Sequence, residues 1–419
     1  MTASLTTKWH HSITREQWHA LFAAQLGWML DAMDVMLYAF ALSTIRTEFQ
    51  LSGATAGVLA SVTLLASAFG GIFFGWLADR IGRARALVYT ILIYSFFTAM
   101  TATAANFAEL LLWRMLVGLG LGGEWSAGSV LVAETWPAEH RGKAIGIMQS
   151  GWALGYILAA VLSATILPTH GWRLLFVIGI LPAFLTFWIR KRVAEPALWR
   201  EQRMKSSTPT FNSFRTILRP PHLLTTLRAS LVTTSVLFAY WGLFTWLPTF
   251  LATPVVAGGA GLSIVKSSVW IIPMQAGAFL GYMLFGFLSD RFGRKPSFLV
   301  FLIAAAVLVP IYGAFARSAT LLLLLGPLLG FFGHGYFSVF GALLAELFPT
   351  SIRGVAQGFT YNVGRAFSAL APFTIGALAD AWGIGSALVL TSAFFLLGAG
   401  LMKLLPETKG SALYDDELR

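Results

Sequence analysis

The sequence predicts an all-α membrane protein with twelve transmembrane helices arranged as two parallel six-helix repeats. Three observations carry this prediction: the composition, the length of the apolar runs and the recurrence of two motifs. Of the 419 residues, 57% are hydrophobic and only 11% are charged, whereas a soluble domain carries about 25% charged residues. The apolar runs are roughly 20 residues long, the length at which a helix crosses a ~30 Å hydrocarbon core. Barrels show alternating segments of ~10 residues instead, and this chain lacks that alternation.

Polar loops separate the twelve predicted spans. The spans cover residues 20–44, 55–78, 86–105, 109–133, 144–167, 172–190, 228–251, 266–288, 297–316, 319–344, 356–379 and 385–404. The first apolar run is longer than the 7–15 residues of a signal-peptide core and no small-residue cleavage site follows it, so we expect it to remain as helix 1. The chain has no cysteine, which excludes disulfides and thiolate metal sites.

The distribution of basic residues predicts the orientation. If both termini are cytoplasmic, the cytoplasmic segments hold 23 Lys and Arg residues, the opposite segments hold four and the spans hold two, which accounts for all 29. Such a bias follows the positive-inside rule. It explains the net charge of +11 without nucleic acid as a partner. We therefore expect a multi-pass protein of the inner (cytoplasmic) membrane with both termini in the cytoplasm.

Two motifs recur at nearly the same offset. The stretch "GWLADRIGR" at 75–83 returns as "GFLSDRFGR" at 286–294, an offset of 211, and "AETWPAEHRGKAIG" at 133–146 returns as "AELFPTSIRGVAQG" at 345–358, an offset of 212. Such parallel repeats are typical of paired transporter halves. The predicted organisation is an N-terminal six-helix bundle at 1–190, a basic cytoplasmic linker at 191–227, with a surface helix at 197–204, and a C-terminal bundle at 228–419.

The repeated motifs place charges at the cytoplasmic ends of the spans. Asp79 and Asp290 can accept hydrogen bonds from a helix N-terminus or from basic groups nearby, and Glu134 with Arg141, and Glu346 with Arg353, offer such partners. We expect a charge network that holds the inner ends of the two bundles together and breaks when they rock. The alternative is that these charges only anchor loops. The remaining members of this predicted gate are Arg80, Arg83, Arg291 and Arg294.

Together with "RMLVGLGLGGE" at 114–124 and "PETKG" at 406–410, the loop motif resembles the signatures of the major facilitator superfamily. The resemblance covers essentially the whole chain and implies alternating access around a central site. "LDAMDVMLYAFAL", "GLGGEWSAGSVLVAETWP", "AYWGLFTWLPTFL" and "FTYNVGRAFSALAPF" are similar to the organic-acid:proton symporters of the sialate, lactate and aromatic-acid type, which share a helix-1 "DxxD". Span 7 lacks the "QQxSG" of sugar porters, and span 5 lacks the glycine–proline signature of drug antiporters. Sialate members often carry extra helices mid-chain, whereas this linker is only a loop.

Five charged residues fall inside the predicted spans: Asp31, Asp34, Arg114, Glu124 and Arg365. Such residues face a bundle interior or cavity and mark transport pathways. Asp31 and Asp34 share one helix face, and in the sugar porters that the chain partly resembles, a helix-1 aspartate couples with the span-4 arginine in proton transfer. We expect Asp31, Asp34 and Glu124 to carry the proton and Arg114 to tune them, with either aspartate filling the coupling role. The alternatives are a static ion pair and, for Glu124, a helix-packing motif.

Arg365 is the candidate anchor for a substrate carboxylate. Its equivalent in the N-terminal half is Ala153, so the arginine is not a feature of the repeat, and a guanidinium binds carboxylate in a two-pronged geometry. The alternative is an interhelical partner for Asp31 or Glu124. Further candidates for the binding site, each of which also suits packing, are Asn362, Tyr361, His334, Tyr336, Tyr240, Trp241, Gln275 and Tyr38. His334 is in addition a candidate proton relay.

These features predict a proton-coupled symporter that imports a small organic anion, with a lactate-like monocarboxylate favoured. Alternatives are sialate, an aromatic acid, a sugar or polyol, a zwitterion and, in another class, a non-transporting membrane sensor. No cluster fits catalytic residues, a metal site or a phosphate loop, and "GLGLGG" at 118–123 follows no strand. We expect a monomer in the lipid bilayer, driven by the proton gradient with no cofactor.

Overall fold

A computed structural model describes residues 13–197, 199–200, 212–349 and 352–409. Within these ranges, the side chains of residues 79, 126, 138, 139, 141 and 212–214 lie outside the description. The regular secondary structure of the described residues is helical, as the sequence predicts. The proposed surface helix at 197–204 falls largely on residues outside the described ranges.

In the described part of the chain, six α-helices form the N-terminal half, and nine α-helices and a short 3₁₀ helix (Val255–Ala257) follow. The first six are α1 (Arg15–Glu48), α2 (Gly53–Ile81), α3 (Arg83–Thr101), α4 (Phe107–Thr135), α5 (Ala138–Ile178) and α6 (Pro182–Arg192). After the short α7 (Asn212–Ile217) come α8 (Leu223–Ala252), α9 (Ile264–Phe292), α10 (Arg294–Ala314), α11 (Ala319–His334), α12 (Phe337–Glu346), α13 (Arg353–Ser368), α14 (Leu370–Trp382) and α15 (Ile384–Met402). Side-chain oxygens of Thr14, Ser52, Asn106, Ser263 and Ser318 cap the N-termini of α1, α2, α4, α9 and α11, which satisfies backbone donors that the helix leaves free.

Ten helical stretches of the described chain are long and apolar enough to cross a membrane. One of them, Gly142–Arg192, has 51 residues, which is about twice the length that a bilayer requires. Gly171 interrupts it with a left-handed φ of 74°, so this stretch contains the predicted spans 5 and 6. The predicted span 11 is divided at Ala369 into α13 and α14. Each of these two helices alone is too short to count as one of the membrane-crossing stretches. The twelve predicted crossings are therefore all helical in the structure.

Helices from the two halves pack against each other on both sides of the molecular centre. On one side α5 packs against α9, and on the other α2 packs against α13 and α14, while α1 packs against α8 between them. Within the N-terminal half, α1 packs on α5 and α2 packs on α4. The middles of α1, α4, α5, α8 and α13 consequently surround one central region.

The two ends of the bundle are closed differently. At the end that carries the α1–α2 loop, Asp380 on α14 accepts hydrogen bonds from the backbone N–H groups of Gly53 (2.8 Å) and Ala54 (3.0 Å) and pairs with Arg46 (3.4 Å). A Cβ atom on Gly53 would lie 2.5 Å from the carbonyl oxygen of Gly376, so glycine is required for this approach of α2 to α14. The two halves are thus in direct contact at this end.

The other end, called the basic end here, carries Arg83 and Arg294 at the starts of α3 and α10. Arg83 binds Glu134 on α4 with two hydrogen bonds, from Nε to Oε2 (3.1 Å) and from Nη2 to Oε1 (2.9 Å). Arg294 reaches Glu346 at the end of α12 (3.3 Å) and also binds Asp290. Each of these ion pairs therefore connects helices within one half.

Candidate functional site

A small enclosed cavity of about 30 Å³ lies at the centre of the molecule, with room for only a few waters. Residues of both halves line it, so it lies at the interface between the halves. The cavity is narrow in this structure, and most of the side chains that line it are buried. The wall consists of Asp31, Val35, Met36, Tyr38, Ala39, Ala60, Thr63, Leu64, Ser67, Arg114, Leu121, Trp152, Trp241, Thr245 and Arg365.

The two aspartates of α1 are both buried but have different neighbours. Asp31 lines the cavity and lies within electrostatic range of Arg365 on α13. Asp34 is not part of the cavity wall; it lies within electrostatic range of Arg114 on α4 and close to the hydroxyl of Thr98 on α3. The helix turn that puts both on one face thus gives each aspartate a different arginine.

Arg114 is buried on α4 and lies beside the ring of Tyr38, with its Cζ atom 4.9 Å from the ring centre. It also lies 6.0 Å from the ring of Phe176. A guanidinium over an aromatic face is attracted by the negative charge density of the ring. Tyr38 thus supports the arginine, while its hydroxyl donates to the carbonyl of Ala56 (2.8 Å).

Glu124 on α4 packs against Gly27 of α1. Since Gly27 precedes Asp31 by four residues, Glu124 lies about one helical turn of α1 from Asp31. A Cβ atom on Gly27 would collide with the Glu124 carboxylate, so the glycine makes room for this acid. Asp31, Asp34 and the hydroxyl of Tyr94 are the groups in its electrostatic surroundings. Neither carboxylate oxygen has a hydrogen-bond partner in the described part of the chain. The Tyr94 hydroxyl lies close enough to interact with this carboxylate as a donor, so the alternative in which neighbours cap Glu124 stays open.

Arg365 enters the cavity from the C-terminal half. Its Cζ atom lies 5.8 Å from the ring centre of Tyr361, which in turn stacks on Trp125 of α4 at 4.4 Å and 13°. Its Nε–H has no hydrogen-bond partner among the described residues. A buried cation with a free donor at a cavity wall has the chemistry that a carboxylate requires. Tyr361 and Trp125 close the space between this arginine and the basic end.

The other predicted binding residues divide into two groups. Tyr38 and Trp241 line the cavity, whereas Asn362, Tyr361, Tyr240, Gln275, His334 and Tyr336 are buried outside its wall. Asn362 donates to the carbonyl of Gly358 (2.9 Å). Both amide atoms of Gln275 and the hydroxyl of Tyr336 lack hydrogen-bond partners in the described ranges.

His334 lies in an aromatic cage formed by Phe244 (4.1 Å between ring centres), Tyr240 (5.2 Å) and Tyr282 (6.2 Å). Its Nδ1 atom bonds the carbonyl of Gly330 (3.1 Å), and since a carbonyl only accepts, Nδ1 carries the hydrogen. None of these neighbours is a carboxylate, so this geometry gives no support to a proton relay.

The sequence analysis named Tyr38 and Trp241 but missed Trp152, a third aromatic residue of the cavity wall. Trp152 on α5 donates to the hydroxyl of Tyr240 (2.6 Å) across the two halves and lies between Trp28 (4.7 Å) and Trp241 (5.8 Å). The signal available in the sequence was a tryptophan in the middle of a span, next to Ala153, the position equivalent to Arg365. Tryptophans in membrane proteins are enriched at the membrane–water interfaces, so a tryptophan in the middle of a span departs from the usual distribution.

The predicted gate at the basic end needs one correction. The network was expected to join the two halves, but the described ion pairs lie within each half, because the start of α3 packs on the end of α4 and the start of α10 on α12. Glu346 pairs with Arg294 and Thr408 instead of Arg353, which donates to the carbonyl of Ala345 (3.1 Å). Arg80 and Arg291 lie over the rings of Trp76 and Phe292. The side chains of Asp79 and Arg141 lie outside the described residues.

Two further acidic residues, Glu195 and Glu407, occupy equivalent positions in the two halves, as Glu134 and Glu346 do. Glu195 accepts from the backbone N–H groups of Ala84 (3.2 Å) and Arg85 (3.1 Å), and Glu407 of the "PETKG" motif accepts from Arg294 (2.8 Å) and Lys295 (3.0 Å). The two acids are separated by 212 residues, the offset of the second motif. Each caps the N-terminus of the third helix of its half, where a negative charge is favoured.

A family model described as Major Facilitator Superfamily matches residues 26–274 and 261–416. The chain belongs to the major facilitator superfamily. The fold agrees with this: the D-xylose-proton symporter has a TM-score of 0.75 at 21% identity over 95% of this chain and 100% of that one. A bacterial homologue of the lysosomal transporter Spinster, inward-facing and unoccupied, has a TM-score of 0.73 at 20% identity over 93% of this chain and 96% of that one.

Several curated members of the superfamily are similar to this one over most of their length. A putative metabolite transport protein of Haemophilus influenzae is 37% identical over 94% of this chain and 98% of its own. A probable 4-methylmuconolactone transporter of Cupriavidus pinatubonensis is 34% identical over 97% and 94%, and a cis,cis-muconate transport protein of Acinetobacter baylyi is 34% identical over 90% and 92%. The interpretation as a multi-pass transporter rather than an enzyme is confirmed.

Proposed function

We propose that this superfamily member is a proton-coupled symporter that imports a small organic acid by alternating access. The observation that carries the proposal is the central cavity, where Arg365 of the C-terminal half faces Asp31 of the N-terminal half among tryptophan rings. A permanent cation supplies an anchor for a carboxylate, and a buried carboxylate supplies a group that exchanges a proton. Rocking of the halves around the cavity would expose both groups to one side at a time.

The substrate that suits this cavity best is a planar, unsaturated or aromatic acid with one carboxylate. The indole rings of Trp152 and Trp241 form part of the wall, and Trp241 Nε1 is a buried donor without a partner among the described residues. Flat rings stack on aromatic faces and gain free energy beyond their buried area. Muconate, 4-methylmuconolactone and gentisate, the compounds for which three relatives are named, support a planar, unsaturated or aromatic skeleton over the lactate-like acid that the sequence alone favoured. Muconate has two carboxylates, so the support concerns the skeleton and not the number of carboxylates.

The proton gradient is the proposed energy source, with no cofactor. One charge moved through 100 mV supplies ~2.3 kcal/mol. The basic end of the bundle would face the cytoplasm together with both termini, as the distribution of Lys and Arg indicates. The proposed working form is a monomer in the inner membrane, because each bundle pair encloses its own cavity.

Uptake into proteoliposomes tests this proposal. With an inward proton gradient, we expect accumulation of radiolabelled benzoate or gentisate, slower uptake of lactate, and loss of accumulation when an uncoupler collapses the gradient. Liposomes with the Arg365→Ala variant serve as the matched control.

Three results would contradict different parts of the proposal. Accumulation that persists with the uncoupler would exclude proton coupling, and faster uptake of lactate than of either aromatic acid would exclude the planar substrate. Absence of exchange with any solute would favour a non-transporting sensor.

A further inference from the structure

The wall of the central cavity contains several neutral hydrogen-bond donors, and most of them already donate within the protein. The hydroxyl groups of Tyr38, Thr63 and Ser67 each donate to a backbone carbonyl at 2.7–2.8 Å. The indole N–H of Trp152 donates to the hydroxyl of Tyr240 at 2.6 Å. These hydrogen atoms are therefore committed to the wall itself and are not free for a ligand.

The indole N–H of Trp241 differs from that of Trp152. Trp241 lies on α8 in the cavity wall, and its Nε1 atom is buried without a hydrogen-bond partner among the described residues. An indole N–H can only donate, and a buried donor that stays unpaired is unfavourable. A ligand that presents an acceptor to this atom would gain a hydrogen bond that the empty cavity does not supply.

The two indole rings of the wall are nearly perpendicular. The ring centres of Trp152 and Trp241 are 5.8 Å apart and the ring planes meet at 84°. A flat ligand that stacks on Trp152 would therefore meet Trp241 edge-on, and both contacts are favourable for aromatic rings. Because an N–H bond of indole lies in the ring plane and points out of the edge, Trp152 offers a face to such a ligand and Trp241 offers a donor.

Trp241 also lies away from the level at which Arg365 enters the cavity. A Cβ atom on Gly364, the residue before Arg365, would lie 2.4 Å from the Cγ2 atom of Thr233, so this part of α13 is in contact with Thr233 of α8. Trp241 follows Thr233 by eight residues, which is ~12 Å along a helix. The guanidinium and the indole N–H are therefore placed to contact different parts of one ligand.

We propose that Trp241 selects planar acids that carry a hydrogen-bond acceptor on the ring, away from the carboxylate. The inference rests on the proposed function, in which Arg365 binds the carboxylate, and it adds the substrate class. Suitable acceptors are a ring nitrogen, a hydroxyl oxygen or the carbonyl of a lactone. An unsubstituted benzoate ring leaves the N–H group unpaired and binds less tightly, because a site that donates a hydrogen bond discriminates against an analogue without the acceptor.

Binding of the three pyridine carboxylates tests this selection. Nicotinate, isonicotinate and picolinate have the shape of benzoate with one ring C–H replaced by a nitrogen, which accepts a hydrogen bond near neutral pH. Isothermal titration calorimetry of the purified protein measures the four affinities. For the wild type we expect nicotinate or isonicotinate to bind about threefold to tenfold more tightly than benzoate, the effect of one hydrogen bond.

Two variants separate the donor from the ring that carries it. Trp241→Phe keeps an aromatic ring and removes the donor, so the preference for nicotinate or isonicotinate over benzoate should disappear, whereas a loss of packing would weaken these acids of equal shape alike. The ratio of picolinate to benzoate should not change, because that nitrogen lies beside the carboxylate. Trp152→Phe is the matched control. It removes a donor that binds Tyr240, so it should keep the preference.

Three results would overturn the inference while leaving an organic-acid site intact. They are a wild type that binds neither nicotinate nor isonicotinate more tightly than benzoate, a preference that persists in Trp241→Phe, and a preference that Trp152→Phe abolishes as well. The first result needs no variant, so the test stands even if Trp241→Phe does not fold. Failure of benzoate and all three pyridine carboxylates to bind the wild type would instead overturn the proposed function, and the inference with it.

Discussion

Arg83 and Arg294 occupy equivalent positions in the two halves and make the same bonds, each to a glutamate at the end of the fourth helix span of its own half. The centres of the halves are not equivalent. At the 212-residue offset, Arg114 corresponds to Gly326, Glu124 to Tyr336, and Ala153 to Arg365. The repeat is thus kept where it fixes the ends of helices and lost where the cavity lies. Among the described residues, the N-terminal half places three buried acids and Arg114 around the centre, and the C-terminal half places Arg365 there.

The largest effect is expected from breaking the charge balance inside the N-terminal half. Arg114→Met would leave Asp34 without its cation, and removal of one partner of a buried pair costs about 3–5 kcal/mol. Asp34→Asn combined with Arg114→Met should recover most of this loss, because no uncompensated charge remains. Thermal unfolding of the two single variants and the double variant measures the coupling. Additive losses in the double variant would show that Asp34 and Arg114 do not act as a pair.

The next effect concerns the cation of the C-terminal half. Arg365→Ala should weaken binding of gentisate or benzoate by about 2–5 kcal/mol, and Arg365→Lys by less, because lysine keeps the charge without the two-pronged geometry. Titration by tryptophan fluorescence measures both affinities. Arg317→Ala, at an exposed arginine, is the control and should bind as the wild type does. An unchanged affinity in Arg365→Ala would show that Arg365 does not bind the carboxylate of the substrate.

A smaller effect is expected at the two equivalent ion pairs of the basic end, and it tests whether both contribute equally to the free energy of unfolding. Arg83→Lys and Arg294→Lys each lose hydrogen bonds to a partly buried glutamate, and we expect each to lower the free energy of unfolding by about 1–2 kcal/mol. The two losses should agree within ~0.5 kcal/mol, the usual limit of additivity. Thermal unfolding in the same detergent measures both. If only one of the two variants lost stability, the two equivalent ion pairs would contribute unequally to the free energy of unfolding.

The smallest effect is expected at the acidic caps of α3 and α10. Glu195→Gln and Glu407→Gln should each cost about 1 kcal/mol, as loss of an N-cap does. Burial opposes the charge of Glu407, but the backbone N–H groups of Lys409, Arg294 and Lys295 outweigh it and hold its pKa below the usual value. Its stabilisation is therefore present above the ordinary glutamate pKa and is lost as the pH falls through the lowered one. Unfolding of Glu407→Gln should accordingly depend less on pH in acid, and an unchanged acid profile would contradict the capping role.

The sequence predicted the helices well and the site in part. Asp31, Arg114, Arg365, Tyr38 and Trp241 line the cavity, as candidates chosen from charge and aromatic character inside a span. Trp152 was not among the candidates, because an indole ring is less conspicuous than a charge in an apolar span; its position in the middle of the span was the available signal. Three residues of the predicted gate, Asp290, Arg294 and Glu346, come together because the start of α10 places Arg294 beside both carboxylates, whereas Arg353 donates to the carbonyl of Ala345.

The amino-acid sequence by itself determined membrane insertion, the number of crossings, the repeat and the presence of buried charges. These properties depend on local hydropathy and on the need of every backbone group in lipid for an internal hydrogen bond. Only the tertiary structure decided that Asp31 faces Arg365, that Asp34 faces Arg114, and that Glu124 has no cation. Those contacts depend on how helices from distant parts of the chain rotate and pack against one another, and no local pattern encodes that rotation.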